Sequence, residues 1–216
     1  MTVDRYHTSQ EEFWAGGFGD EYSTRVTGDD IVAAYTALHA RILQRTTGVK
    51  SAIEFGANIG LNLKALKRLL PSIELSAIEI NPTAILALEE LPEVKHIYKQ
   101  SILDFTPDYQ RDFVLIKTVL IHINPDMLSR VYDLLYRASQ KYICVAEYYN
   151  PTPVTVEYRG HKDRLFKRDF AGEMLDRYPD LGLVDYGFVY WRDNNFSIGD
   201  VTWFLLEKRS GAAGPK

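Results

Sequence analysis

The sequence predicts an α/β fold: a mostly parallel sheet with helices on both faces. Three observations carry this. From residue 51 to 148, short apolar runs alternate with helix-like segments, and such alternation builds parallel sheets through βαβ crossovers. The first run, Ser51–Phe55, stops at a turn bracketed by Gly56 and Gly60 that opens a helix. Near the C-terminus, two apolar runs at about 182–189 and 202–207 flank a polar, turn-rich segment and read as an antiparallel pair.

The elements follow in order. Residues 13–26 (FWAGGFGDEYSTRV) are glycine-rich and aromatic, and a helix capped near Asp29 then turns Ile31, Tyr35, Leu38 and Ile42 inward. Residues 60–70 set Leu63, Leu66, Leu69 and Leu70 near one helical stripe, ended by Pro71. Residues 74–80 read as the second strand, and Asn81-Pro82 opens a helix to about Leu91. Residues 96–99 form a short third strand and 112–117 (DFVLIK) a stronger fourth. Asn124 as N-cap, with Pro125 at the first helical position, starts a helix to about Ala138. Residues 142–148 are the fifth strand, which with the C-terminal pair makes seven. Between them Pro151 and Pro153 break the chain, and 151–180 reads as a substrate-side insertion with a short helix near 170–178. Residues 1–209 read as one domain with 1–48 as N-terminal lid and helix, and 210–216 (SGAAGPK) as a disordered tail.

Composition excludes several classes. The 216 residues carry a net charge of −4, too mild for a general polyanion binder. Apolar residues at 46% and aromatics at 12% exclude a disordered or fibrous chain. One cysteine, Cys144, excludes an internal disulfide framework, and five scattered histidines give no metal-ligand spacing. No apolar run approaches the roughly 20 residues of a membrane span, and residues 1–12 lack an apolar signal core. A soluble cytoplasmic protein is expected; nothing here predicts an oligomeric state.

The chemistry centres on Glu54-Phe55-Gly56-Ala57-Asn58-Ile59-Gly60. Glycines let the backbone approach a ligand, and a helix N-terminus offers free N–H groups. A dinucleotide fingerprint needs three glycines spaced G-x-G-x-x-G; only Gly56 and Gly60 stand here, behind an acid. That carboxylate suits an ammonium better than a pyrophosphate. Glu79 ends the next strand, where an acid in a nucleotide-binding βαβ unit accepts ribose hydroxyls.

On these residues the chain resembles the class I S-adenosylmethionine-dependent methyltransferases. IEFGANIG matches the first motif, AIEIN the second, QSILDF the adenine-side loop, and DFVLIKTVLIHI the fourth strand and its exit. The resemblance implies a Rossmann-like fold with an antiparallel last strand and S-adenosylmethionine as cofactor. It implies that Gly56, Ala57, Asn58 and Gly60 line the methionine portion and that Glu79 holds the ribose. Ile80 would pack on the adenine, Ser101 and Ile102 lie near its edge, and Lys117 lie on the methionine side. The usual first motif has a further glycine where Ala57-Asn58 stand. A narrower resemblance rests on FW-x-G-x-F-G-x-x-Y, EFGANIG, Glu-Ile-Asn-Pro and KTVLIHINPD: the methylases associated with pseudaminic acid biosynthesis. It implies a small-molecule acceptor such as a nonulosonic acid, amino sugar or amino-acid derivative.

Methyl transfer from a sulfonium is an in-line displacement, so holding the nucleophile about 3–3.5 Å from the methyl supplies roughly 7–11 kcal/mol. A base is needed only for an acceptor that rests protonated. His122, past the fourth strand, is the base candidate, with Glu147 beside it at the end of the fifth. Tyr148, Tyr149 and Asn150 follow at that strand end and are candidate acceptor contacts. Arg159, His161 and Arg164 belong to a basic stretch, residues 158–169, with five Lys/Arg against two Asp, which suggests an anionic acceptor. Tyr22 and Arg25, on the aromatic lid, are placed near the cofactor's carboxylate. Rival readings are an RNA or protein methyltransferase, disfavoured because little of the chain is left for docking, and a non-catalytic S-adenosylmethionine-binding partner protein.

Overall fold

The computed structural model describes residues 6–209. The expected tail, 210–216, lies outside the described residues. Seven strands form one sheet in the order β3-β2-β1-β4-β5-β9-β8. Five of them, β1 (Ser51–Phe55), β2 (Glu74–Glu79), β3 (Val94–Lys99), β4 (Arg111–Lys117) and β5 (Ser139–Glu147), run parallel. The last, β9 (Val201–Lys208), pairs antiparallel with β5 and with β8 (Leu181–Val189). This is the Rossmann-like methyltransferase fold.

The strands read as unbroken apolar runs because both sheet faces are covered. Ile53, Phe55, Val114, Ile116, Ile143 and Val145 pack on one face with α6 (Leu128–Ala138). Ala52, Phe113, Leu115 and Cys144 pack on the other, beneath α3 (Asp29–Leu43) and α4 (Leu61–Leu69). Each large apolar side chain so buried contributes roughly 1.5–3 kcal/mol. Chain order reverses between β1 and β4, which opens a crevice at the carboxyl ends of the strands.

The structure refines several local expectations. The N-terminal stretch is two short helices, α1 (Ser9–Ala15) and α2 (Gly17–Arg25), meeting at Gly16. α3 is capped at Gly28, next to the expected Asp29. Asn81 does cap α5 (Pro82–Glu89), accepting from Ala84 N at 2.9 Å, but the helix stops before Leu91. At Asn124 and Pro125 the chain first makes a single 3-10 turn, and α6 begins at Leu128. The expected insertion is a β-hairpin, β6 (Val154–Tyr158) and β7 (His161–Lys167), followed by α7 (Phe170–Arg177). Its turn holds Arg159 at φ 50 and Gly160 at φ 82, and charged side chains obscured its strand alternation. Among the described residues, no helix is long and apolar enough to cross a membrane.

Candidate functional site

A cavity of about 1120 Å³, counting its open mouth, sits where β1, β2 and β4 end, with α1 and α2 above it. That is the place expected of a small-molecule site in an open α/β sheet.

The floor is the turn after β1. Gly56 N and Ala57 N both donate to Ile78 O, at 2.9 and 3.0 Å, which ties the turn to β2. Gly56 has φ 74, and a Cβ there would come within 2.6 Å of Val119 Cγ2, so glycine is required on two counts. Asn58, at φ 48, donates its N–H to Glu79 Oε2 at 2.7 Å. Glu79 Oε1 accepts from Ile80 N and Asn81 N at 2.9 and 2.8 Å. Burial pushes this carboxyl up, and the three N–H bonds pull it back. Ile80 and Ile102 line the cavity beyond it. Ser101 lines it too, but its hydroxyl donates to Glu11 Oε1 and accepts from Leu103 N, linking this loop to α1.

Glu54 is the most unusual side chain in the lining. It is 1% exposed, Oε1 accepts from Asn62 Nδ2 at 2.7 Å, and Oε2 is buried without a partner. Burial pushes the carboxyl up to about 8. Glu54 and Leu115 are register partners on β1 and β4, so Lys117, two residues on, shares their sheet face. Lys117 is 6% exposed, stands 4.1 Å from the Tyr35 ring centre, and makes no ion pair within 4.0 Å among the described residues. Thr118 follows at φ 52, a strained conformation for a β-branched residue, and turns the chain along the cavity wall.

His122 also lines the cavity. Its Nδ1 lies 2.6 Å from Arg164 O, which only accepts, so Nδ1 carries the proton and a neutral ring leaves Nε2 bare. Burial pushes the imidazole down to about 4. The Trp14 ring packs 4.5 Å from it, with Tyr22 5.3 Å from Trp14. Trp14 Nε1 is buried without a partner. Burial raises the Tyr22 hydroxyl.

Several expected site residues lie elsewhere. Gly60 is off the lining; its φ is 78, and a Cβ would strike Leu91 and Leu88, so it serves helix packing. Arg25 is exposed, beside Glu21 at 3.9 Å and over the Phe18 and Tyr22 rings. Glu147 is buried outside the lining and accepts from Val119 N and Leu120 N, both at 2.9 Å, and from Ile121 N at 3.5 Å. It holds the loop after β4 from a position off the cavity. Tyr148, Tyr149 and Asn150 are outside the lining as well. Tyr149 packs on Phe204, Asn150 donates to Thr152 O, and Lys167 lies over Tyr148. Arg159 lies over Tyr158, His161 packs on Phe13 and Phe18, and Arg164 lies over Phe13 and donates to Ser9 Oγ. The basic hairpin therefore braces the N-terminal helices and does not face the cavity.

The sequence reading missed the lining given by Glu11, Asn62 and Gly19. Thr8 and Glu11 form a capping box, and their T-x-x-E spacing is the signal that could have placed α1. Asn62 and Gly19 carry no local signal. Gly19 matters because a Cβ would meet Trp14 O at 1.9 Å and Asn81 Nδ2 at 2.8 Å, where α2 crosses the end of β2.

The chain matches no model of a protein family and no curated protein. Its structure is similar to solved methyltransferases. One is the Burkholderia thailandensis 1,6-didemethyltoxoflavin-N1-methyltransferase with bound 1,6-didemethyltoxoflavin and S-adenosylhomocysteine. It has a TM-score of 0.67 and 13% identity, over 96% of this chain and 94% of that one. A Leishmania major S-adenosylmethionine-dependent methyltransferase gives 0.70 and 16%, over 92% and 86%. The Synechocystis magnesium protoporphyrin IX methyltransferase with bound S-adenosylmethionine gives 0.65 and 11%, over 96% and 100%.

Proposed function

We propose that this chain transfers the methyl group of S-adenosylmethionine to a nitrogen or oxygen of a small metabolite. One observation supports this above the others: a buried carboxylate oxygen, Glu54 Oε2, has no partner in a cavity at the turn after β1. An ammonium group would satisfy it, and the amino-acid arm of the cofactor carries one. The remaining residues fit the same group. Glu79 would take ribose hydroxyls with its spare lone pairs, the Gly56–Asn58 backbone would approach the methionine portion, and Ile80 and Ile102 would flank the adenine. When bound, that cofactor supplies a methyl group already activated by a positive sulfur.

The chain's own work is then to hold the acceptor and exclude water. Trp14, Tyr22 and Tyr35 give the lining an aromatic wall. His122 Nε2 can accept the acceptor's proton; a base this weak takes it as the new bond forms and the nucleophile acidifies. Among the described residues, Lys117 is the one lysine or arginine in the lining. It supports a carboxylate in the cavity, that of the cofactor's amino-acid arm or that of an acceptor, and sugar acids, nonulosonic acids and amino-acid derivatives are the acceptor candidates. Membership of the pseudaminic acid-associated methylases is part of this reading and rests on the sequence motifs alone.

Calorimetric titration with S-adenosylmethionine, S-adenosylhomocysteine and NAD tests the cofactor. Binding of the first two and not the third is expected; no binding of S-adenosylhomocysteine would end the proposal. A mass-shift screen for a 14 Da gain, one methylene's worth by arithmetic and about one CH₂ in size, across carboxylated metabolites then tests the acceptor class.

A further inference from the structure

Glu54 receives one side-chain hydrogen bond, and its donor belongs to a chain of polar groups leading away from the cavity. Asn62, in the first turn of α4, gives Nδ2 to Glu54 Oε1 at 2.7 Å. Its Oδ1 lies 3.0 Å from Nε2 of His39. His39 sits in α3, is 0% exposed, and is outside the cavity lining.

The protons on this chain follow from donor and acceptor chemistry. Glu54 Oε1 accepts from Asn62 Nδ2, so the amide nitrogen of Asn62 faces Glu54 and its oxygen faces His39. An amide oxygen also accepts, so His39 carries its proton on Nε2. Nδ1 is then bare, and it is buried with no partner. A lone pair in that position costs less than an orphaned N–H would, which agrees with the same tautomer. Glu54, which lies in the cavity lining with Asn62, keeps Oε2 unpartnered.

We propose that His39 is a positioning residue: its Nε2–H holds the Asn62 amide in one orientation, and that amide fixes Glu54 with Oε2 free for a cation. This rests on the reading of Glu54 as partner of the cofactor's ammonium. Bonds in such a buried chain polarise one another, so the far member influences the near one without touching the ligand. The effect belongs to the amino-acid arm alone, and a ligand lacking that arm is indifferent to His39.

The test compares S-adenosylhomocysteine with 5′-methylthioadenosine, the same nucleoside without the amino-acid arm. Both are titrated into wild type, His39→Leu, His39→Gln and Glu54→Gln. His39→Leu is expected to weaken S-adenosylhomocysteine about tenfold, the size of one lost hydrogen bond, and methylthioadenosine less than about twofold. His39→Gln, whose amide N–H can replace the imidazole donor, is expected to recover most of the loss. An equal loss for both ligands, or no loss for either, overturns the proposal. If Glu54→Gln removes the preference for S-adenosylhomocysteine and His39→Leu does not, the positioning role alone falls. If Glu54→Gln leaves that preference intact, the reading of Glu54 falls and the inference with it. Nitrogen-15 NMR of the imidazole gives a check on unsubstituted protein: the Nε2–H tautomer is expected, and an Nδ1–H tautomer overturns the scheme.

Discussion

Two buried carboxylates flank the fourth strand, Glu54 on β1 and Glu147 on β5. They are 1% and 2% exposed, and burial pushes them to about 8 and about 7. By residue type, strand position and burial they are near twins, yet they do opposite work. Glu147 accepts three backbone N–H groups and is spent on the loop that leaves β4. Glu54 accepts one amide and keeps an oxygen unpartnered in the lining of a cavity. A perturbed pKa does not separate a structural acid from a ligand-binding one; a place in the cavity lining does, and in Glu54 an unpartnered oxygen adds to it.

Substitutions can break that contrast. The largest expected effect on stability is from Glu147→Ala, which strands at least two well-bonded N–H groups. A loss of about 2–5 kcal/mol is expected in chemical denaturation, and a loss under 1 kcal/mol would mean the loop holds itself. Glu54→Gln should do the reverse. Stability should hold or rise at pH 8, while S-adenosylhomocysteine affinity falls by about 10- to 150-fold, the range for a lost bond to a charged group.

The pH dependence sharpens the same comparison. Glu54 is pushed up to about 8, so at pH 7 the free protein holds a proton there that an ammonium ligand would displace. S-adenosylhomocysteine binding near pH 7 should release close to one proton, less as pH passes 8, and none in Glu54→Gln; titration in buffers of different ionisation enthalpy measures it. The stability sign follows separately. Between the unfolded value of 4.5 and about 8, the folded state binds more protons at Glu54 than the unfolded state does. Wild type should therefore lose stability relative to Glu54→Gln as pH rises through that window, with the gap constant above it.

Smaller effects test the residues that moved out of the site. Gly60→Ala, which meets Leu88 and Leu91 at a left-handed position, should lower stability by about 1–3 kcal/mol and leave ligand preference alone. Arg159→Ala, on the hairpin turn, should change both stability and S-adenosylhomocysteine affinity by less than about 0.5 kcal/mol. A tenfold fall in affinity would return the hairpin to the site.

How much was legible depended on whether a feature was local. The first strand, Ser51–Phe55, was read to the residue, because a run covered on both faces announces itself by unbroken hydrophobicity. Gly56 was legible as a turn, and Asn81-Pro82 as a helix start, since both carry local backbone chemistry. The β6–β7 hairpin was not: its outward charges hid the alternation, and its partners are the rings of α1 and α2, some 150 residues away, as with Gln10 and Asp163. Glu147 was misread because its three acceptor bonds come from a loop 26 to 28 residues earlier.

By itself, the sequence determined the alternation of strands and helices from β1 to β5, the sharp turn after β1 and the acid at the tip of β2. These follow from periodicity, glycine and proline geometry and capping, which act over a few residues. Only the tertiary structure decided which acids face a ligand, which glycine serves packing, and that His39 and Asn62 stand behind Glu54. Those outcomes depend on who satisfies each buried hydrogen-bonding atom, and the partners come from elements far apart in the chain.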